Sequence, residues 1–397
     1  MNHRSLKIAL ISDLHCHPTD KLDEGKIIKE ISTYLLTDML RTPSNNHPVE
    51  SLLNIIKNEK LEVDLTLCPG DFTDKASIQG LISGWGYSLE INRKLNSKNI
   101  IATVGNHDVD VYAKNNNYSL KSVKGLKRNF PFKNVDKVDQ FWSKGCAFLE
   151  DENYRVLVIN SSHFHYNKES SYNGEISADS LDYIKDYMSE NKDDKIQIAM
   201  SHHPPISHPN KNLGEDDKIV NGYELLNILG EFKFDLFIYG HKHHPFLKNV
   251  NTLTGNNIIP LFSSGSFSAG TNLMFSGVRN AFHILELKKV NNKCKGKILT
   301  WTFLPNKGWE SNYDQSAFAP KTGFGSSMSI EQIYQEIENN FKSDRKIDWA
   351  RLTEKIEDIN YLMPEDSKKL NELLKSKGWI PDEHIWQGPK FLFNTNL

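Results

Sequence analysis

Cysteine is scarce: four residues in 397, at positions 16, 68, 146 and 294, with no CxxC pair among them. That scatter argues against a disulfide framework or a zinc knuckle and fits a reducing compartment. Long apolar runs are missing as well. No stretch approaches the roughly 20 residues of a membrane helix. The apolar run near the start, Ile8 to Ile11, is too short for a signal-peptide core and ends in Ser12-Asp13. A cytoplasmic protein with no membrane partner is expected. Excess charge is lacking too: a formal net charge of -2 gives no global pull toward nucleic acid or anionic lipid. There is no internal repeat. What remains is an ordinary composition, 38% hydrophobic and 25% charged. The length suits one large domain with an appendage, or two domains.

The informative feature is a recurring motif of short β-branched runs that stop at glycine or a polar turn and then present metal-capable side chains. Leu6 to Ile11 reads as a strand ending in Ser12-Asp13-Leu14-His15. On an extended backbone Asp13 and His15 would project to one side, a natural spacing for two ligands of one ion. Asp64 to Cys68 ends at Gly70-Asp71, and Asn99 to Val104 ends at Gly105-Asn106-His107-Asp108. Further on, Lys195 to Met200 ends at His202-His203-Pro204-Pro205, and Leu236 to Tyr239 at Gly240-His241-Lys242-His243. Helical patterns lie between, at about Lys26 to Lys57 with a polar break at Thr42-Pro43-Ser44-Asn45-Asn46, and at Ser77 to Leu95, Ile176 to Met188 and Val220 to Leu229. Alternating strands and helices with polar groups at the carboxyl ends of the strands indicate an open α/β arrangement.

The collected residues are Asp13, His15, Asp71, Asn106, His107, His202, His241 and His243. Oxygen donors and imidazoles without thiolates suit Mn, Fe, Zn or Mg. Even with one set aside for catalysis, seven ligands are too many for a mononuclear structural zinc. They suit two ions roughly 3.5–4 Å apart, the arrangement that activates water and clamps both sides of a displacement at phosphorus. Hydrolysis of a phosphate ester is expected.

The ordered set Asp13-x-His15, Gly70-Asp71, Gly105-Asn106-His107-Asp108, His202 and Gly240-His241-x-His243 resembles the calcineurin-like metallophosphoesterases, over about Leu6 to Phe303. The resemblance implies an α/β fold, a four-layer α/β/β/α sandwich of two mixed sheets. It implies two divalent or trivalent metal ions. Asp13, His15 and His243 would hold the first, Asn106, His202 and His241 the second, and Asp71 would bridge. It also implies that His107 protonates the leaving oxygen and that Asp108 orients His107. Within the family, Gly70-Asp71-Phe72-Thr73-Asp74, Gly174-Glu175-Ile176-Ser177 and His202-His203-Pro204-Pro205 look most like the branch containing bacterial cyclic-nucleotide phosphodiesterases. The expected function is therefore a phosphodiesterase acting on a nucleotide or cyclic nucleotide. Two alternatives stand beside it: a DNA nuclease resembling the repair exonucleases of this fold, and a non-catalytic scaffold acting through protein contacts.

The expected organisation is a phosphoesterase domain over 1–304, a linker or ordered loop over 305–328, and a small helical module over 329–397. Residues 109–151 read as a loop-rich excursion over the site, with a basic cluster at Lys121, Lys124, Lys127 and Arg128 that could attract a phosphate-rich substrate. In the module, Ser329 to Phe341, Ile347 to Leu362 and Glu365 to Lys377 read as helices. The module is a candidate surface for a protein partner or for self-association.

Overall fold

Buried apolar strands, each too short to stand alone, are held by the helices between them. The computed structural model describes residues 3–19, 33–39, 41–114, 117–126, 128–210, 213–214, 216–254, 257–271, 273–274, 276–311, 318–382 and 389–397. The first half runs β1 (His3–Leu10), α1 (Pro48–Glu59), β2 (Leu65–Cys68), α2 (Ile78–Lys94) and β3 (Asn99–Ala102). The three strands pair in parallel, in that order. The middle runs α3 (Lys121–Gly125), α4 (Val135–Lys144), β4 (Cys146–Glu150), β5 (Tyr154–Ile159), α5 (Ala178–Glu190), β6 (Ile196–Met200), α6 (Gly222–Glu231), β7 (Leu236–Tyr239), β8 (Pro245–Asn251) and β9 (Ile258–Ser264). These strands form a second mixed sheet in the order β4-β5-β6-β7-β9-β8, with antiparallel edges. The chain then returns to the first sheet through the hairpin of β10 (Ala281–Val290) and β11 (Lys293–Leu304), with β10 antiparallel to β1.

The two sheets pack face to face. Alternation along the strands shows it: Tyr154, Val156 and Val158 of β5 join the core shared with the first sheet, while Leu157 and Ile159 join α5 and α6 outside. Both faces are buried, so the strands read as unbroken apolar runs. This is the α/β/β/α layering expected.

Four local expectations change. The stretch 305–328 is not a simple linker: β12 (Gly308–Glu310) and β13 (Lys321–Phe324) both pair with β11. The excursion over 109–151 carries α3, α4 and β4. Of the helical pattern at Lys26 to Lys57, residues 26–32 and 40 lie outside the described residues, the rest of the first piece is not helical, and the second piece, past the polar break, is the helix from Pro48. Proline is favoured at the first helical position, and the His47 ring accepts from Glu50 N. The terminal module is also not purely helical. It runs α7 (Ile330–Phe341), β14 (Lys346–Asp348), α8 (Trp349–Lys355), α9 (Pro364–Ser376), β15 (Trp379–Pro381) and β16 (Phe391–Asn394), the strands forming a small sheet. Asp348 caps the start of α8 through Ala350 N, and the helix expected from Ile347 to Leu362 breaks at Ile356, at φ -120° and ψ 78°, before a 3-10 turn over Glu357–Tyr361. Lys127, His384 and Trp386 lie outside the described residues. The module has its own core around Ile337, Leu370 and Trp379. It is pinned to the first sheet by Lys295–Asp358 at 3.0 Å and by Gly323 N donating to Leu362 O at 3.1 Å.

His283 on β10 is fully buried between the sheets, donating from Nε2 to Ser264 O at 2.9 Å with Nδ1 against Thr300 Oγ1. Burial pushes it down to about 4. The folded state therefore keeps it neutral while the unfolded chain protonates near 6.5. The unfolded state binds more protons between those values, so stability is complete above about pH 6.5 and is lost as pH falls toward 4. His283→Gln is expected to remove roughly 3 kcal/mol of that acid sensitivity. Urea melts at pH 7 and pH 4.5 check it, and an unchanged difference between the two would refute it.

Candidate metal centre

The loops after β1, β2, β3, β6 and β7 converge at one edge of the two sheets. Asp13, His15, Asp71 and His202 are essentially buried, at 0–1% exposure. Asp13, His15 and His243 gather with Asp71 in one cluster, and Asp71, His202 and His241 in a second. His15 Nε2 lies 2.8 Å from His243 Nε2, and His243 Nε2 lies 3.3 Å from Asp13 Oδ1. On the other side His202 Nε2 lies 3.2 Å from Asp71 Oδ2 and 2.9 Å from Asn106 Oδ1, with His241 Nδ1 3.0 Å from the same amide oxygen. All seven expected ligands are thus brought together, and Asp71 belongs to both groups.

The backbone that does this is not extended. Asp13, His15, Asp71, His241 and His243 have φ of 53, 51, 55, 71 and 50°, in the left-handed region. The spacing of two in Asp13-x-His15 and His241-x-His243 therefore works through alternating left-handed residues past the strand ends, not through strand pleating. Such conformations cost about 1–3 kcal/mol each and cluster where function requires them. Gly105 permits the closest approach: a Cβ there would meet Asp71 Oδ1 at 2.0 Å.

The hydrogen-bonding pattern tests whether a cation fits. His202 Nδ1 meets Pro69 O at 2.9 Å, and His243 Nδ1 meets Leu273 O at 2.8 Å. A carbonyl only accepts, so each Nδ1 carries the proton, and each neutral ring turns a bare Nε2 lone pair inward. Those lone pairs face carboxylate, amide and imidazole acceptors. Acceptors opposed at about 3 Å in a buried site need protons or cations between them. Without an ion the site takes protons. Burial would lower His202, but the charge and hydrogen bond of Asp71 override it and push it up to about 9. His15, buried and beside His243 and His107, is pushed down to about 3. The donor set and its ring orientations fit two metal ions.

His107 differs from the ligands. Its side chain is 32% exposed at the rim, its Nδ1 lies 2.7 Å from Asp74 Oδ1, and its backbone N donates to Asp71 Oδ1 at 2.9 Å. Burial alone would lower its pKa, but Asp71 and Asp74 push it up to about 9. The brace on its ring is Asp74, whereas the sequence pointed to Asp108. Asp108 is buried and spends its oxygens on backbone: Oδ2 accepts from Asp71 N and Gly105 N at 2.9 Å, and Oδ1 from Thr73 N at 3.1 Å. It ties the loops after β2 and β3 together, because only an acceptor-only side chain can take three N–H groups at once. Asp74 closes the Gly70-Asp71-Phe72-Thr73-Asp74 block, and that second acid was the available signal. Asp74→Asn is expected to lower turnover about 10- to 100-fold with both metals retained, as for other groups that orient a functional imidazole. Metal analysis beside the rate measurement checks it. Loss of metal would make Asp74 a ligand-loop residue instead.

Other histidines sit close by without joining the clusters. His203 is buried, its Nδ1 2.9 Å from Ser161 Oγ and its ring 4.5 Å from that of His241. His165 is buried against His203. His244 packs on His208.

A family model described as calcineurin-like phosphoesterase matches residues 6–245. A second, described as wHTH-Calcineurin_assc, matches residues 322–376, the segment that holds β13 and α7 through α9. No curated protein was found that matches the chain. Among solved structures, the purple acid phosphatase PPD1 from yellow lupin (Lupinus luteus) seeds is similar at 12% identity and a TM-score of 0.47, over 75% of this chain and 51% of that one. This chain thus spans about half the length of the lupin protein. Vps29 from Chaetomium thermophilum is similar at 11% identity and a TM-score of 0.30, over 81% of this chain and 98% of that one.

Proposed function

The chain belongs to the calcineurin-like phosphoesterase family, and we propose that it is a phosphodiesterase dependent on two metal ions, acting on a nucleotide or cyclic nucleotide. One observation carries the reading: two clusters of inward-facing acceptors share Asp71, and a hydrogen-bonded, partly exposed imidazole stands beside them. Asp13, His15 and His243 would hold one ion, Asn106, His202 and His241 the other, and Asp71 both. Mn, Fe, Zn and Mg all suit these donors. When bound, the ions supply an activated water and neutralise charge on the phosphoryl oxygens.

The chain's own residues do the rest. Asp108 fixes the relative position of the β2 and β3 loops, and so of Asp71 against Asn106. Asp74 holds Nδ1 of His107, which leaves Nε2 to donate a proton to the leaving oxygen. The Asp74 carboxylate favours the protonated ring, as an acid requires. The blocks Gly70 to Asp74 and His202 to Pro205 support a nucleotide ester as substrate. The four cysteines are unpaired, which supports a reducing, cytoplasmic setting. Among the described residues no helix is long and apolar enough to cross a membrane. The match of the terminal segment to a separate family model supports a role for it in partner contacts.

Protein loaded with Mn is expected to hydrolyse bis-p-nitrophenyl phosphate and at least one member of a panel of cyclic nucleotides, nucleotide diesters and DNA strands. Turnover of none of these with two ions bound per chain would sink the reading.

A further inference from the structure

A groove of about 680 Å³ opens between α3, the segment after it and α4. It lies on the excursion that follows His107, and the phosphoesterase chemistry does not use it. Its lining includes three cations, Lys124, Arg128 and Lys133, against one carboxylate, Asp139. In a chain of net charge -2 that excess is local. The Lys124 ammonium stands over the rings of Tyr118 and Trp142, 5.7 Å from each centroid. Trp142 and Leu126 give the groove an apolar, aromatic wall.

The backbone presenting Arg128 is constrained. Arg128 and Asn129 are consecutive left-handed residues, at φ 62 and 61°. Trp85 Nε1 donates to Arg128 O at 3.0 Å, and Phe130 packs on both Phe72 and Trp85. A strained turn survives only where its surroundings over-determine it, and here it is fastened to the core beside the loop that carries Asp71. Cations alone would suit any anion, and an aromatic wall alone any apolar ring. Together they suit a ligand with both a phosphate and a planar ring, because phosphate takes charge-assisted hydrogen bonds from Lys and Arg, and bases stack on indole.

We propose that this groove is a second, non-catalytic site that binds a nucleoside phosphate, free or within a single strand, with its phosphate on Lys124, Arg128 and Lys133 and its base against Trp142. The site goes beyond the phosphoesterase reading and needs no chemistry, so the two can fail separately.

Binding is measured on the full, metal-loaded chain with probes that resist hydrolysis: adenosine 5′-thiophosphate and pyrophosphate by calorimetry, and a fluorescein-labelled phosphorothioate thymidine decamer by anisotropy. Saturable binding of a nucleoside probe is expected. Lys124→Glu with Arg128→Glu should weaken it at least about tenfold while turnover of bis-p-nitrophenyl phosphate stays unchanged, since two charge-assisted contacts are lost. Both side chains are exposed, so the fold should be kept, and circular dichroism checks this. Trp142→Leu should weaken adenosine 5′-thiophosphate but not pyrophosphate. Tighter binding of the decamer, with a salt slope that falls by about 1.4 in the double variant, assigns the ligand to a strand. Tighter binding of the mononucleotide assigns it to a free nucleotide. No saturable binding of either nucleoside probe, or binding indifferent to the double variant, would overturn the proposal. Absence of turnover in the unaltered chain with binding intact would count against the phosphoesterase reading alone.

Discussion

Asp71→Asn is expected to reduce metal-dependent hydrolysis by about a thousandfold or more, the equivalent of several kcal/mol of transition-state stabilisation. The reason is geometric. Asp71 alone belongs to both ligand clusters: its Oδ2 lies 3.2 Å from His202 Nε2 and 3.7 Å from His15 Nε2, and its Oδ1 accepts from His107 N at 2.9 Å. An amide of the same size keeps the packing against Gly105 but cannot share one negative charge between two cations. Metal content should fall from two ions per chain to one or fewer. Thermal stability gives an independent readout. A ligand at one hundred times its dissociation constant stabilises the folded state by about 2.7 kcal/mol, so wild-type protein should melt higher when Mn is added and lower in chelator. The variant should show much less of that rise. Two ions retained, with activity within tenfold of wild type, would remove Asp71 from the bridging position.

Asp71 also shows why the site was legible and where legibility stopped. Each strand end carries its residues in a local block, and a block is readable because chemistry-bearing side chains follow directly on an apolar run. The seven proposed ligands and His107 were picked out this way, and the fold brings their side chains to one edge of the sheets. Partnerships between blocks were harder. Asp108 follows His107 in sequence and invites the reading that it braces the ring. The tight turn instead sends its carboxylate back to Gly105 N, Asp71 N and Thr73 N, and Asp74, 33 residues away in sequence, reaches Nδ1. The left-handed backbone at Asp13, His15, Asp71, His241 and His243 left only a weak trace in residue type: Asp and His enter that region more often than most residues, but still uncommonly. It is imposed by the surrounding contacts, and propensity does not report those. The same holds for the terminal module. β14, β15 and β16 span three or four residues each and, among the described residues, pair with one another alone, so no run was long enough to show a period of two.

His107→Ala should leave both metal ions in place and still cost about 10²- to 10⁴-fold in turnover of a nucleotide ester, the usual range for a positioned acid. Retention of metal follows from the placement of the ring. His107 is half-buried at the rim, its Nδ1 is committed to Asp74, and the two clusters that share Asp71 are complete without it, although it also gathers with His15 and Asp74 in a third group. The rate loss follows from the leaving group. An alkoxide from a sugar hydroxyl departs poorly unless a proton reaches it, and His107, its Nδ1 hydrogen-bonded to Asp74 at 2.7 Å, is placed to supply that proton from Nε2. A p-nitrophenolate leaves readily without one. The deficit should therefore be large for a nucleotide ester and at least about tenfold smaller for bis-p-nitrophenyl phosphate. This difference separates an acid from a residue that merely supports the loop, because a disturbed loop would slow both substrates alike. His107→Gln, which keeps a polar side chain of similar reach but cannot serve as a general acid, should show the same split. Equal losses on the two esters, or loss of a metal ion with the imidazole, would reassign His107 from proton donor to structural or ligating residue.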